Sequence, residues 1–165
     1  MKKVILGFVL IGLLIGGAFS AAQAQERKQA LSLNLGVQTN SDRASAFNYA
    51  LFTLDARVGL VLGAAFEISP EVMVAVDDSL DFEFTYFYPG LLLNLKLGYW
   101  FVGAGAVLPV VFYEGESRSV NLSPKFNFGF SAGPLVVTAY LIAWTEEHTD
   151  FMEFGFIGAT IGYRF

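Results

Sequence analysis

Two groups of side chains in this sequence are of a type to do chemistry, and their spacing keeps them apart. Seven ionisable residues, Asp55, Arg57, Glu67, Glu83, Lys96, Lys125 and Arg164, stand inside apolar, alternating segments. Asp77, Asp78, Asp81, Glu146, Glu147 and His148 stand instead in polar stretches between such segments. Charges of both signs held in one interior either pair or pass a proton or ion, and burial is tolerated only with partners or hydrogen bonds. A packed network of paired charges is the expectation for the seven. His148, the single histidine, lies in Thr145-Glu146-Glu147-His148-Thr149-Asp150. A hydrolase reading pairs it with a loop serine and Glu146 or Glu147, but no His-x-Ser occurs, so no catalytic residue is assigned. One histidine beside carboxylates also lacks the remaining ligands of a zinc site. Asp77, Asp78, Ser79 and Asp81 offer hard oxygen donors for calcium without the spacing of a calcium-binding loop. Neither a metal nor a cofactor is expected.

What must position the seven is a set of strands. From Ile157 to the last residue, Ile157, Ala159, Ile161, Tyr163 and Phe165 share one face while Gly158, Thr160, Gly162 and Arg164 share the other, because strand side chains alternate with period two. Phe154 and Phe156 are in the opposite phase, which calls for a bulge near Phe156-Ile157 or for phenylalanine packed inside. A first strand over Gln29 to Gln38 puts Leu31, Leu33, Leu35 and Val37 opposite Ser32, Asn34, Gly36 and Gln38. A second, Tyr49 to Ile68, sets Phe52, Leu54, Ala56, Val58, Leu60 and Leu62 against Thr53, Asp55, Arg57 and Gly59, and Ser69-Pro70-Glu71 reads as a tight turn after it.

The third strand starts at Val72 and fades into a loop at 77–81. The fourth starts at Phe82 with Phe84, Tyr86 and Tyr88 on the apolar face, and beyond Pro89-Gly90 the apolar set becomes Leu91, Leu93 and Leu95. That change of phase predicts a β-bulge at Pro89-Gly90 within one long strand. Leu97-Gly98 turns the chain into a fifth strand, Tyr99 to Tyr113, and 114–120 is a charged loop. Asn121 to Ala132 and Leu135 to Trp144 flank a turn at Gly133-Pro134; the latter strand is apolar on both faces, so its outward side stays open. After a loop at 145–150, Glu153 to Phe165 is the eighth strand. Short connections (69–71, 97–98, 133–134) alternate with long ones (39–48, 77–81, 114–120, 145–150), and the long ones carry nine acids against two bases.

Composition agrees with strands that face lipid. The chain is 55% hydrophobic with mean hydropathy +0.54, yet after residue 24 no apolar run is long enough for a transmembrane helix. Apolar content dispersed through alternating segments, with 17 Gly and 17 Phe, is the pattern of a transmembrane β-barrel. Ahead of it, Lys2-Lys3, the apolar run Val4 to Phe19 and the small-x-small motif Ala22-Gln23-Ala24 form a secretory signal peptide. Cleavage between Ala24 and Gln25 leaves residues 25–165 as one barrel domain. With no cysteine, disulfides and lipidation are excluded, and a pI of about 4.8 without a basic patch disfavours nucleic acid.

Signal peptide, eight alternating strands, absence of cysteine and the ending Gly162-Tyr163-Arg164-Phe165 together resemble the small eight-stranded outer-membrane barrels of the OmpX and OmpA-transmembrane type. The resemblance implies an all-β, antiparallel up-and-down barrel with both termini periplasmic, a monomer surrounded by outer-membrane lipid and lipopolysaccharide. It also implies that Tyr163 and Phe165 form the aromatic-x-aromatic ending read by the barrel-assembly machinery. The function expected is structural or surface interaction without catalysis, with the lumen filled by side chains. A narrow pore or carrier for a small apolar ligand is the alternative, and a lipid-modifying enzyme using His148 comes after it.

Overall fold

In the computed structural model the described residues are 29–40, 50–62, 64–77, 84–113, 116–119, 121–144 and 153–165. They form strands and turns only: β1 Gln29–Asn40, β2 Ala50–Leu62, β3 Phe66–Asp77, β4 Phe84–Leu97, β5 Trp100–Val107, β6 Val110–Tyr113, β7 Glu116–Ser119, β8 Ser123–Ala132, β9 Leu135–Trp144 and β10 Glu153–Arg164. Eight of them make a closed antiparallel ring in the order β1-β2-β3-β4-β5-β8-β9-β10. The ring shuts where β10 pairs with β1, from Ser32 opposite Arg164 to Asn40 opposite Phe156. Closure matters because an open sheet edge in hydrocarbon would leave backbone groups unpaired. The amide of Phe165 extends this seam by donating to the Leu31 carbonyl at 2.8 Å.

The outer surface is a continuous apolar band. Leu35, Phe52, Leu54, Leu91, Leu93, Phe126, Phe128, Ile157, Ile161 and Tyr163 are all exposed on it. Trp100 stacks on Phe128 at 5.3 Å and meets Phe130 edge-on at 5.1 Å, which places aromatics near the short-turn end. β9, apolar on both faces, is oriented by its neighbours: Val136, Thr138, Tyr140 and Ile142 are buried while Leu135 and Val137 are exposed.

Several sequence expectations change. Ser69-Pro70-Glu71 is no turn; β2 ends at Leu62, Ala64-Ala65 turns the chain, and Ser69 and Glu71 are buried mid-strand in β3. Pro70 lies opposite Leu91, and the β2–β3 pairing skips from Arg57–Glu71 to Leu60–Ile68. A proline has no N–H for the ladder, so the break beside it is local and the strand runs on. The bulge at Pro89-Gly90 is also absent. β4 keeps one register against β3 from Leu95 to Thr85, and one phase against β5 and β6. One unbroken strand therefore turns Tyr86 and Tyr88 inward, the reverse of the lipid-facing placement expected for them, and Tyr88 is fully buried.

The fifth strand is split at Leu108-Pro109 into β5 and β6, and the segment expected as loop 114–120 contains β7, which pairs with β6. β6 continues the β5 edge along β4 above the ring. At the β10 start, Gly155 is the extra residue of a bulge between Phe154–Ala143 and Phe156–Ile142, and Phe156 is packed inside. Both devices offered for that stretch are present. Glu83, His148, the 145–150 loop, Asp78, Ser79, Asp81 and the signal segment with Ala24 and Gln25 lie outside the described residues.

Candidate functional site

The lumen is where the chain concentrates its polar atoms. Every strand sends alternate residues inward, so the height of each along the barrel is set by register and strand tilt. At the long-loop end the interior is apolar: Leu51, Met73, Ala75, Tyr88, Val107, Ile142 and Phe156 cluster there, with Tyr86 against them. Tyr86 and Tyr88 stack at 6.1 Å, and Phe156 meets them edge-on at 5.6 and 6.3 Å.

Below this cluster Gln38 joins two tyrosines. Its Nε2 donates to the Tyr88 hydroxyl at 3.1 Å, and the Tyr140 hydroxyl donates to its Oε1 at 3.0 Å. Lys125 stands 4.6 Å from the Tyr140 ring centre, close enough for a cation–π attraction.

The charged centre follows. Arg57 reaches Asp55 at 3.0 Å and Glu71 at 3.2 Å, Lys125 reaches Glu71 at 2.7 Å, and Asn34 donates to Asp55 at 3.2 Å. All four charged side chains are 3% exposed or less, so their charges must balance one another, and two acids face two bases. Glu71 is the hinge of this set because both cations share it. The sequence did contain a signal for it: Glu67, Ser69 and Glu71 keep one period-two phase, which the intervening proline obscured.

Nearer the short turns, Asn127 donates to Asn94 at 3.0 Å, Asn94 to Ser69 at 2.9 Å, and Ser69 to Glu67 at 3.0 Å. Gly103 lies between the two asparagines, and a Cβ there would stand 2.0 and 2.1 Å from their Oδ1 atoms. At the mouth Glu67 is bonded to Lys96 at 2.5 Å and approached by Arg164 at 3.8 Å. Of the seven residues singled out from sequence, Asp55, Arg57 and Lys125 thus meet at the centre, while Glu67, Lys96 and Arg164 meet at the mouth. Tyr163 and Phe165 face outward, their rings 4.9 Å apart, at the end of β10.

Among the described residues no group of His, Cys, Asp or Glu is arranged to hold a metal ion. No protein-family model matches the chain, and no curated protein sequence does. Solved structures do match. Neisserial surface protein A superposes with a TM-score of 0.58 at 9% identity, covering 83% of this chain and 96% of that one. Ail, the attachment invasion locus protein of Yersinia pestis, superposes in its complex with the heparin analogue sucrose octasulfate with a TM-score of 0.50 at 15% identity, covering 83% and 97%. The fold is that of the small eight-stranded outer-membrane barrels. At such identities the likeness reaches the architecture and leaves function to be argued from this chain's own residues.

Proposed function

We propose that the protein is a small integral barrel of the bacterial outer membrane, closed along its axis by its own side chains, with a structural or surface-contact role and no catalysis. The observation that carries this reading is the burial of the inward-facing side chains. Tyr88, Met73, Leu92, Ile142, Lys125 and Asn94 are inward-facing and at most 2% exposed, and the space above Gly103 is taken by Asn94 and Asn127. An eight-stranded ring is only wide enough for its side chains. Work that cannot pass through the barrel is left to its ends. With eight spans both termini are on the periplasmic side and the long connections face outward.

Those connections carry nine acids against two bases. The structure of Ail holds sucrose octasulfate, a sulfated polyanion that a surface of this charge would repel. The partner favoured here is one with a basic face. Purified protein in planar bilayers is expected to give no conductance steps; reproducible single-channel steps would overturn the filled-lumen reading and favour a pore. Outward loops are expected to be cut by protease added to intact cells, while the C-terminal end stays protected.

Tyr163 and Phe165 support assembly as the exposed aromatic end of the closing strand. Deletion of Phe165, whose amide bonds to Leu31, is expected to reduce the heat-modifiable barrel in outer-membrane fractions several-fold. Undiminished insertion would remove that role.

A further inference from the structure

At the short-turn mouth the lumen widens into a recess of about 150 Å³, lined by Glu67, Lys96, Tyr99, Trp100, Ser131 and Arg164 among others. Among the described side chains lining it, two bases face one acid. Lys96 and Arg164 share the single carboxylate of Glu67, and Lys96 holds it closely while Arg164 approaches no nearer than 3.8 Å. The buried Nε of Arg164 has no hydrogen-bond partner among the described residues. The central tetrad of Asp55, Arg57, Glu71 and Lys125 has two acids for two bases by contrast, whereas two bases face one acid among the described side chains of the recess.

We infer that this recess binds a phosphate group. The volume admits one tetrahedral oxyanion or several waters. Arg164 supplies a planar fork of donors suited to phosphate, Lys96 a point charge, and Ser131 a hydroxyl. Tyr99 and Trp100, exposed on the β4–β5 turn, are the residue types that settle at lipid headgroup depth and hold the mouth there. Basic recesses at that depth take the headgroups of anionic lipids. A free phosphate would use the same donors. The lipid source rests on the membrane reading above; the phosphate chemistry does not.

The test uses the refolded mature barrel in detergent and in nanodiscs. In detergent, inorganic phosphate is titrated and followed by the side-chain nitrogen resonances of Arg164 and Lys96; in nanodiscs of phosphatidylglycerol or phosphatidylcholine, retained lipid is counted by native mass spectrometry. One phosphatidylglycerol per barrel, lost in Lys96→Gln, identifies a lipid headgroup site. Saturable phosphate binding without lipid retention, weakened about ten-fold in Lys96→Gln, identifies a free-phosphate site. Binding by Lys96→Gln and Arg164→Gln equal to the parent, or no binding of either probe to the parent, overturns the inference. Lys96 is at the rim, its side chain 26% exposed, so its variant folds even where Arg164→Gln does not. Should conductance reveal an open pore while phosphate still binds at the mouth, the filled lumen fails and the site stands.

Discussion

Replacing Glu71 with alanine is expected to lower the unfolding free energy by about 3–5 kcal/mol, the range for removing one member of a buried charge set. Glu71 is the acid that both Arg57 and Lys125 touch, and its own side chain is fully buried. Without it the two cations have only Asp55 between them, inside a wall whose outer face is apolar. Lys125 suffers most, because Glu71 is its only ion-pair partner among the described residues. The double variant Glu71→Leu with Lys125→Met restores neutrality and fills much of the space, so it should recover most of the loss; that non-additivity separates a charge effect from a packing effect. At the mouth, Lys96→Ala should cost at most about 1 kcal/mol, since water reaches that side chain. Urea titration of the barrel in lipid vesicles, followed by tryptophan fluorescence, measures all of these. A Glu71→Ala barrel as stable as the parent would mean that the lumen admits water freely.

The second large effect belongs to a single methyl group. Gly105→Ala is expected to destabilise the barrel by about 1–3 kcal/mol or to prevent closure, as overpacking does where nothing can rotate aside. A Cβ at this position would sit 2.0 Å from the Leu91 carbonyl oxygen and 2.8 Å from the Leu92 Cα, both backbone atoms of the adjacent strand. The seam from Gly90–Val107 to Leu97–Trp100 would have to part locally to make room. The physical reason is curvature. Eight strands close a ring only if some bend sharply, and a bent strand brings its neighbour's backbone to where a side chain would begin. Gly103→Ala, two residues away, is the internal control. There the colliding atoms are the ends of two asparagine side chains, which can shift at the cost of a hydrogen bond, so a smaller loss is expected. Equal losses at the two glycines would count against the curvature argument.

Much of this molecule can be read along the chain. Alternation in Gln29–Gln38, in Ala50–Leu62 and in Ile157–Phe165 assigns outward and lumen faces that the structure keeps, save that Leu31 is buried, and the turns at Gly98 and Gly133 carry the positive φ that glycine permits. What local pattern misjudged has a common cause. Along the chain Pro70 and Pro89 look like interruptions, because a proline cannot donate to a ladder. Yet the β3–β4 register runs unbroken through both positions, from Phe66–Leu95 to Val76–Thr85.

The amino-acid sequence by itself determined that the chain makes short strands with one apolar face, joined by alternating short and long connections, because period two follows from strand geometry alone. Tertiary structure decided what meets inside. Tyr86, Tyr88 and Phe156 are aromatics of the kind that also face outward on barrel strands, so nothing in their type marks them as lumen-filling; only the register against neighbouring strands does. Glu71, Arg57 and Lys125 come from β3, β2 and β8, and their meeting depends on the tilt at which the ring closes, a property of all eight strands together.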